Sequence, residues 1–180
     1  MKIIKTLMVA AMALFLSMTT VDNLTMPDVG LGAVSTAMAM ETTFKHPAAM
    51  WRAVPTKAPA VAVFAGIVLL ETVAAVVCWI GALRMWRARA DAKAFKDASA
   101  IANLGLALTA LLYFGAFLVV GTEWFLMWQS QQLSVALEVA FRMFAAAVLI
   151  MLYVTLVDDR QEDFATARLP LASGSSRKSE

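Results

Sequence analysis

The sequence predicts an all-α polytopic membrane protein, a bundle of four transmembrane helices with both termini cytoplasmic, and three observations lead there. Of its 180 residues 61% are hydrophobic and 16% charged, with a mean hydropathy of +0.74. A soluble domain carries about 45–50% apolar and about 25% charged residues, so this chain needs the bilayer as its solvent. Secondly, the apolar residues gather into four segments near the ~20 residues that cross a hydrocarbon core of about 30 Å. Thirdly, basic residues crowd one short turn between segments, and the tryptophans fall at segment ends. Lipid offers no hydrogen-bond partners to the backbone, which selects helices over any open structure.

The first segment, residues 3–21 (IIKTLMVAAMALFLSMTTV), is interrupted only by Lys5. Lys2 and Lys5 ahead of an apolar run also describe a secretory leader. The AMA triplet at 37–39 lies far beyond the apolar stretch, however, whereas cleavage sites follow it closely, so a retained helix is expected. Residues 22–57 read as a long outer loop. The second segment, 58–83, has Glu71 as its sole charge, and its Ala58, Ala62 and Gly66 form a small-residue ridge suited to close helix contact. The third, 100–122, contains Asn103; the fourth, 135–157, contains Glu138 and Arg142. From 158 onward the chain turns polar and ends SGSSRKSE, a composition too poor in apolar surface to order itself. The expected division is a four-helix membrane domain over 1–157 and a disordered cytoplasmic tail over 158–180.

Orientation follows from the turn RMWRARADAKAFKD, which carries Arg84, Arg87, Arg89, Lys93 and Lys96. Basic residues in short loops are retained in the cytoplasm, and Lys2, Lys5 and the tail's arginines fall on the same side. Lys45, Arg52 and Lys57 on the outer side are outnumbered. Trp51, Trp124 and Trp128 then mark the outer interface and Trp79 and Trp86 the inner one, as aromatic belts require.

Several functions are excluded early. A formal net charge of +2 gives no reason to expect nucleic acid. A single cysteine, Cys78, rules out an intramolecular disulfide and a cysteine-clustered metal site, and a single histidine, His46, rules out a bis-histidine haem within the chain. The methionine-rich outer segment has no second histidine or cysteine to complete a Cu(I) site, so no metal or cofactor is expected. Neither a phosphate-binding glycine loop nor a nucleophile–base set is present, and the expected protein is not an enzyme.

The residues able to carry chemistry are few. Glu71 falls at mid-span, where an acidic side chain costs roughly 2.5–3.5 kcal/mol to insert. It reads either as a hydrogen-bonded carboxyl gluing helices together or as a proton or cation site, and no partner for it is evident from spacing. Arg142 stands one turn from Glu138, an i,i+4 pair. Counting depth along antiparallel segments brings Glu123 to the level of Glu138, so Glu123, Glu138 and Arg142 are expected to cluster near the outer interface, with Glu123 turned inward while Trp124 and Trp128 face the headgroups. Asn103 is expected to hydrogen-bond across helices.

The stretches METTFKHPAAMWRA (40–53), RMWRARA (84–90) and GTEWFLMWQSQ (121–131), with Glu71 and the Phe141–Arg142 pair, resemble the bacterial family of predicted small integral membrane proteins called domain of unknown function 2165. The resemblance covers about residues 2–156. It implies four membrane helices and the bacterial inner membrane, and it carries no activity and no site residues. The expected function is therefore that of an accessory or scaffold component, in the lipid bilayer, associating with another membrane protein or with itself. The rival expectation is a small transporter or proton-coupled carrier using Glu71.

Overall fold

The computed structural model describes the backbone of residues 1–167 and side chains through Thr155. The fold is all-helical over that range, and four of its helices are long and apolar enough to cross a membrane. α1 (Lys2–Thr25) leads directly into α2 (Pro27–Met38), with Pro27 at the first helical position, where its missing N–H costs nothing. α3 (Lys57–Arg87) follows, then α4 (Ala92–Leu111), which continues without a break into a π-helix over Leu112–Trp124. α5 (Gln131–Ala167) completes the bundle. Short 3-10 turns at Met50–Arg52 and Met127–Gln129 punctuate the loops.

Two caps set helix starts. The Asp91 carboxylate accepts the backbone N–H groups of Lys93 (2.8 Å) and Ala94 (3.2 Å), which satisfies orphan donors at the start of α4. The Ser130 hydroxyl does the same for α5 by accepting from the Leu133 N–H at 3.2 Å, and it also receives the Thr42 hydroxyl at 2.7 Å. Ser130 is thus buried at a joint between the 39–56 loop and α5.

The core is built from small residues. α3 presents Glu71, Ala74, Ala75, Cys78, Gly81, Ala82 and Met85 inward at helical spacing, while Leu69, Val73, Val76, Ile80 and Leu83 face outward. In lipid, bulky side chains gain nothing by turning inward, and small ones let backbones approach. α3 accordingly packs mainly on α4 and α1. A Cβ added to Gly81 would lie 2.6 Å from the Ala102 Cα, and one added to Gly105 would lie 2.6 Å from the Cys78 sulfur. These two glycines make the close α3–α4 approach. The Ala58, Ala62 and Gly66 ridge does not: all three are exposed, and nothing lies within 4 Å of a Cβ built on Gly66.

Contacts also order the two ends of the bundle. The Lys5 ammonium donates to the Val154 carbonyl at 2.9 Å, and the Lys2 ammonium sits 5.4 Å from the Phe95 ring centre. The start of α1, the start of α4 and the far part of α5 therefore share the end that carries the basic α3–α4 turn. At the opposite end Trp51 meets Trp124 edge-on at 5.6 Å, and Phe44 meets Trp128 at 6.0 Å.

Three expectations need correction here. The region expected as a long loop over 22–57 holds α2, because VGLGAVSTAM after Pro27 is a competent helical run that packs on α3. A disordered tail is expected from 158, but α5 continues to Ala167; once a long helix exists, each added residue costs propagation and not nucleation. Residues 168–180 lie outside the described residues. The third segment, expected as a regular helix of 3.6-residue period, is wound as a π-helix from Leu112 to Trp124.

Candidate functional site

Glu71 sits near the middle of α3 and is 2% exposed. Each carboxylate oxygen receives a donor from a different helix. The Asn23 amide of α1 donates to Oε2 at 2.9 Å, and the Tyr113 hydroxyl, at the start of the π-helix, donates to Oε1 at 3.3 Å. The result is a polar clamp tying α1, α3 and the α4–π continuation together at mid-bundle. Tyr113 is itself buried and stacks on Phe117 at 5.7 Å, which holds its hydroxyl toward the carboxylate. Further along the same α1–α3 seam, the Trp79 indole N–H donates to the Ser17 hydroxyl at 3.1 Å.

Sequence reasoning found Glu71 and left it without a partner; Asn23 and Tyr113 are the residues it missed. A signal existed for each. Asn23 closes an apolar helix on the face of Ser17 and Thr20, and Tyr113 is a buried hydroxyl in an otherwise apolar span, where such a group needs an acceptor. What periodicity lacked was the knowledge that α1 continues past residue 21 and so carries Asn23 within reach.

Arg142 and Glu138 pair as spacing implied, Nη2 to Oε2 at 3.0 Å. The pair does not line a cleft. The two side chains are 72% and 65% exposed, on the outer face of α5 and inside the stretch apolar enough to span a membrane. Glu123 does not join them, contrary to the expected three-residue cluster, and it does not turn inward. It is exposed, and its backbone carbonyl accepts from Arg52 Nη1 at 3.3 Å. The physical reason is the π-helix: over Leu112–Trp124 the chain is wound more loosely than the 3.6-residue period from which its inward face was counted. By residue 123 the phase has drifted, and the helix ends at once, Leu126 taking a left-handed φ of 53° to start the turn.

Asn103 does bond across helices, its amide donating to the Thr155 hydroxyl of α5 at 3.1 Å. Its carbonyl oxygen is buried with no acceptor use among the described residues. Trp51, Trp124 and Trp128 gather exposed at one end. Of the other two, Trp86 is exposed beside the basic turn, with the Arg89 guanidinium 4.9 Å from its ring, while Trp79 is drawn into the α1 seam by Ser17.

A second feature of the site is an apolar cleft of about 240 Å³ between α2, α3, the π-helix and α5. Ile67 and Phe117 are among its walls, each one turn from a member of the clamp. No curated protein and no solved structure matches the chain. The model of a family described as predicted small integral membrane protein, DUF2165, matches residues 1–157. That match covers all four spans, the Glu71 clamp and the Glu138–Arg142 pair, and the chain belongs to this family of predicted small integral membrane proteins.

Proposed function

We propose that the protein is a non-enzymatic accessory component of the bacterial inner membrane, both termini cytoplasmic, which works in association with another membrane protein or a second copy of itself. The observation that carries this reading is the Glu138–Arg142 pair on the outward face of α5. Charged side chains inside a membrane normally face a bundle interior or a partner, because hydrocarbon does not solvate them. Here the outward face of an apolar span bears two of them, and a neighbouring helix with polar groups would cover them. The carrier reading built on Glu71 is weaker on the same geometry, since donors from two helices already occupy both carboxylate oxygens.

Arg142→Leu together with Glu138→Leu is expected to weaken association at least about tenfold, the equivalent of roughly 1.4 kcal/mol, while leaving helicity unchanged. Size analysis of the full chain in lipid nanodiscs and mild detergent reads this directly. A wild-type chain that is a monodisperse monomer in native lipid would sink the proposal. Topology is tested separately: reporters inserted after Ala90 and after Pro47, both in exposed connections, are expected to give cytoplasmic and periplasmic signals respectively. The reverse pattern refutes the orientation, which rests on Lys2, Arg84, Arg87, Arg89, Lys93 and Lys96 sharing one end.

A further inference from the structure

The apolar cleft does not stand alone. A shallower hollow of about 350 Å³ adjoins it, sharing Val120 and Phe125 as walls and adding Glu123 and Trp124. Arg52 is not itself a wall of that hollow but contacts two residues that are, Glu123 and Trp124. Its guanidinium lies 5.5 Å from the ring centres of both Trp51 and Trp124, and Nη1 holds the Glu123 carbonyl at 3.3 Å. The loop bearing Arg52 is tied to the cleft's rim, because the Val54 N–H donates at 2.7 Å to the carbonyl of Met38, a cleft residue. Arg52 Nε is buried and has no acceptor among the described residues.

We infer that this composite is a binding site for one anionic phospholipid, an acyl chain lying in the cleft and the phosphate meeting Arg52. The chain half follows from the walls: Ala33, Ala37, Ala116 and Ala136 leave the space, and Phe117 and Met127 close it. The headgroup half follows from charge. Cleft walls and bilayer are equally apolar, so the cleft alone cannot prefer one lipid over another; a cation fixed between two interfacial tryptophans can. Arg52 bonds the main-chain carbonyl of Glu123 and not its carboxylate, so its charge is not neutralised by that contact.

Native mass spectrometry of the full chain, titrated in detergent with phosphatidylglycerol or phosphatidylcholine, tests the site. The expected result is one retained phosphatidylglycerol, favoured about fivefold over phosphatidylcholine, the factor one basic residue near the surface supplies. Arg52→Gln should erase the preference and Arg52→Lys restore part of it. Ala136→Phe should lose either lipid with helicity intact; if that variant fails to fold, the two Arg52 variants decide alone. Equal retention of both lipids by the wild type, or no retention, overturns the inference. So does displacement of the lipid by inorganic phosphate, which would make this a plain anion site, and so does tighter retention of an isoprenoid phosphate than of phosphatidylglycerol.

Discussion

Glu71→Ala is expected to cost the fold about 2–3 kcal/mol. Its price of insertion does not enter, because the isolated α3 helix carries the same carboxyl in the bilayer before the bundle forms. What is lost is the pair of interhelical hydrogen bonds to Asn23 and Tyr113, each worth roughly 0.6–1.7 kcal/mol in lipid, together with the packing around a residue that is 2% exposed. Glu71→Gln keeps one acceptor oxygen and should lose about half as much. Asn23→Ala and Tyr113→Phe should each cost about 1 kcal/mol, and each should be less costly in the Glu71→Ala background, since the group they would have bonded is gone. Detergent-induced unfolding of the purified chain in mixed micelles gives all four numbers. A Glu71→Ala protein as stable as the wild type, or effects that simply add, would show that the three residues do not act as a clamp.

The second large effect is steric. Gly81→Leu should destabilise the bundle by about 3 kcal/mol, at the upper end for overpacking, because even a Cβ at this position would lie 2.6–2.8 Å from the Ala102 backbone and Cβ. No flexible side-chain end is there to move aside; α3 and α4 must separate. Gly66→Leu on the same helix is the control, since a Cβ there meets nothing within 4 Å and that position is exposed, so no loss is expected. The same unfolding measurement separates them. Equal behaviour of the two variants would mean that the close α3–α4 approach at Gly81 does not set the helix packing.

How much was legible beforehand depended on whether a local rule applied. Glu138 and Arg142 pair at i,i+4 because both lie on a regular α-helix, where that spacing alone sets the distance. Asn103 found a helix partner because a polar amide in lipid has few alternatives. Glu123 failed because its direction was counted through Leu112–Trp124, where the winding is π and the phase shifts. The Ala58, Ala62 and Gly66 ridge failed for a different reason: small-residue spacing recurs on several faces of a helix rich in alanine and glycine, and only packing chooses among them. Gly81 on α3 and Gly105 on α4 each meet the other helix because both facing surfaces are small: Ala74, Ala75, Cys78 and Ala82 lie on Gly81's side, Ala98 and Ala102 on Gly105's.

From its sequence alone the chain is a four-span membrane protein, since length and apolarity are set by the thickness and chemistry of the bilayer and need no knowledge of contacts. The sequence likewise marks Glu71 as out of place, because the cost of a mid-span carboxyl is a property of depth. Only the tertiary structure decided that Asn23 and Tyr113 satisfy it, that Glu123 faces away from Arg142, and that Arg52 stands beside an apolar cleft. Those outcomes join residues 40 to 90 positions apart or depend on helix winding, and helix rotation about its own axis is settled by packing against neighbours, which no single segment encodes.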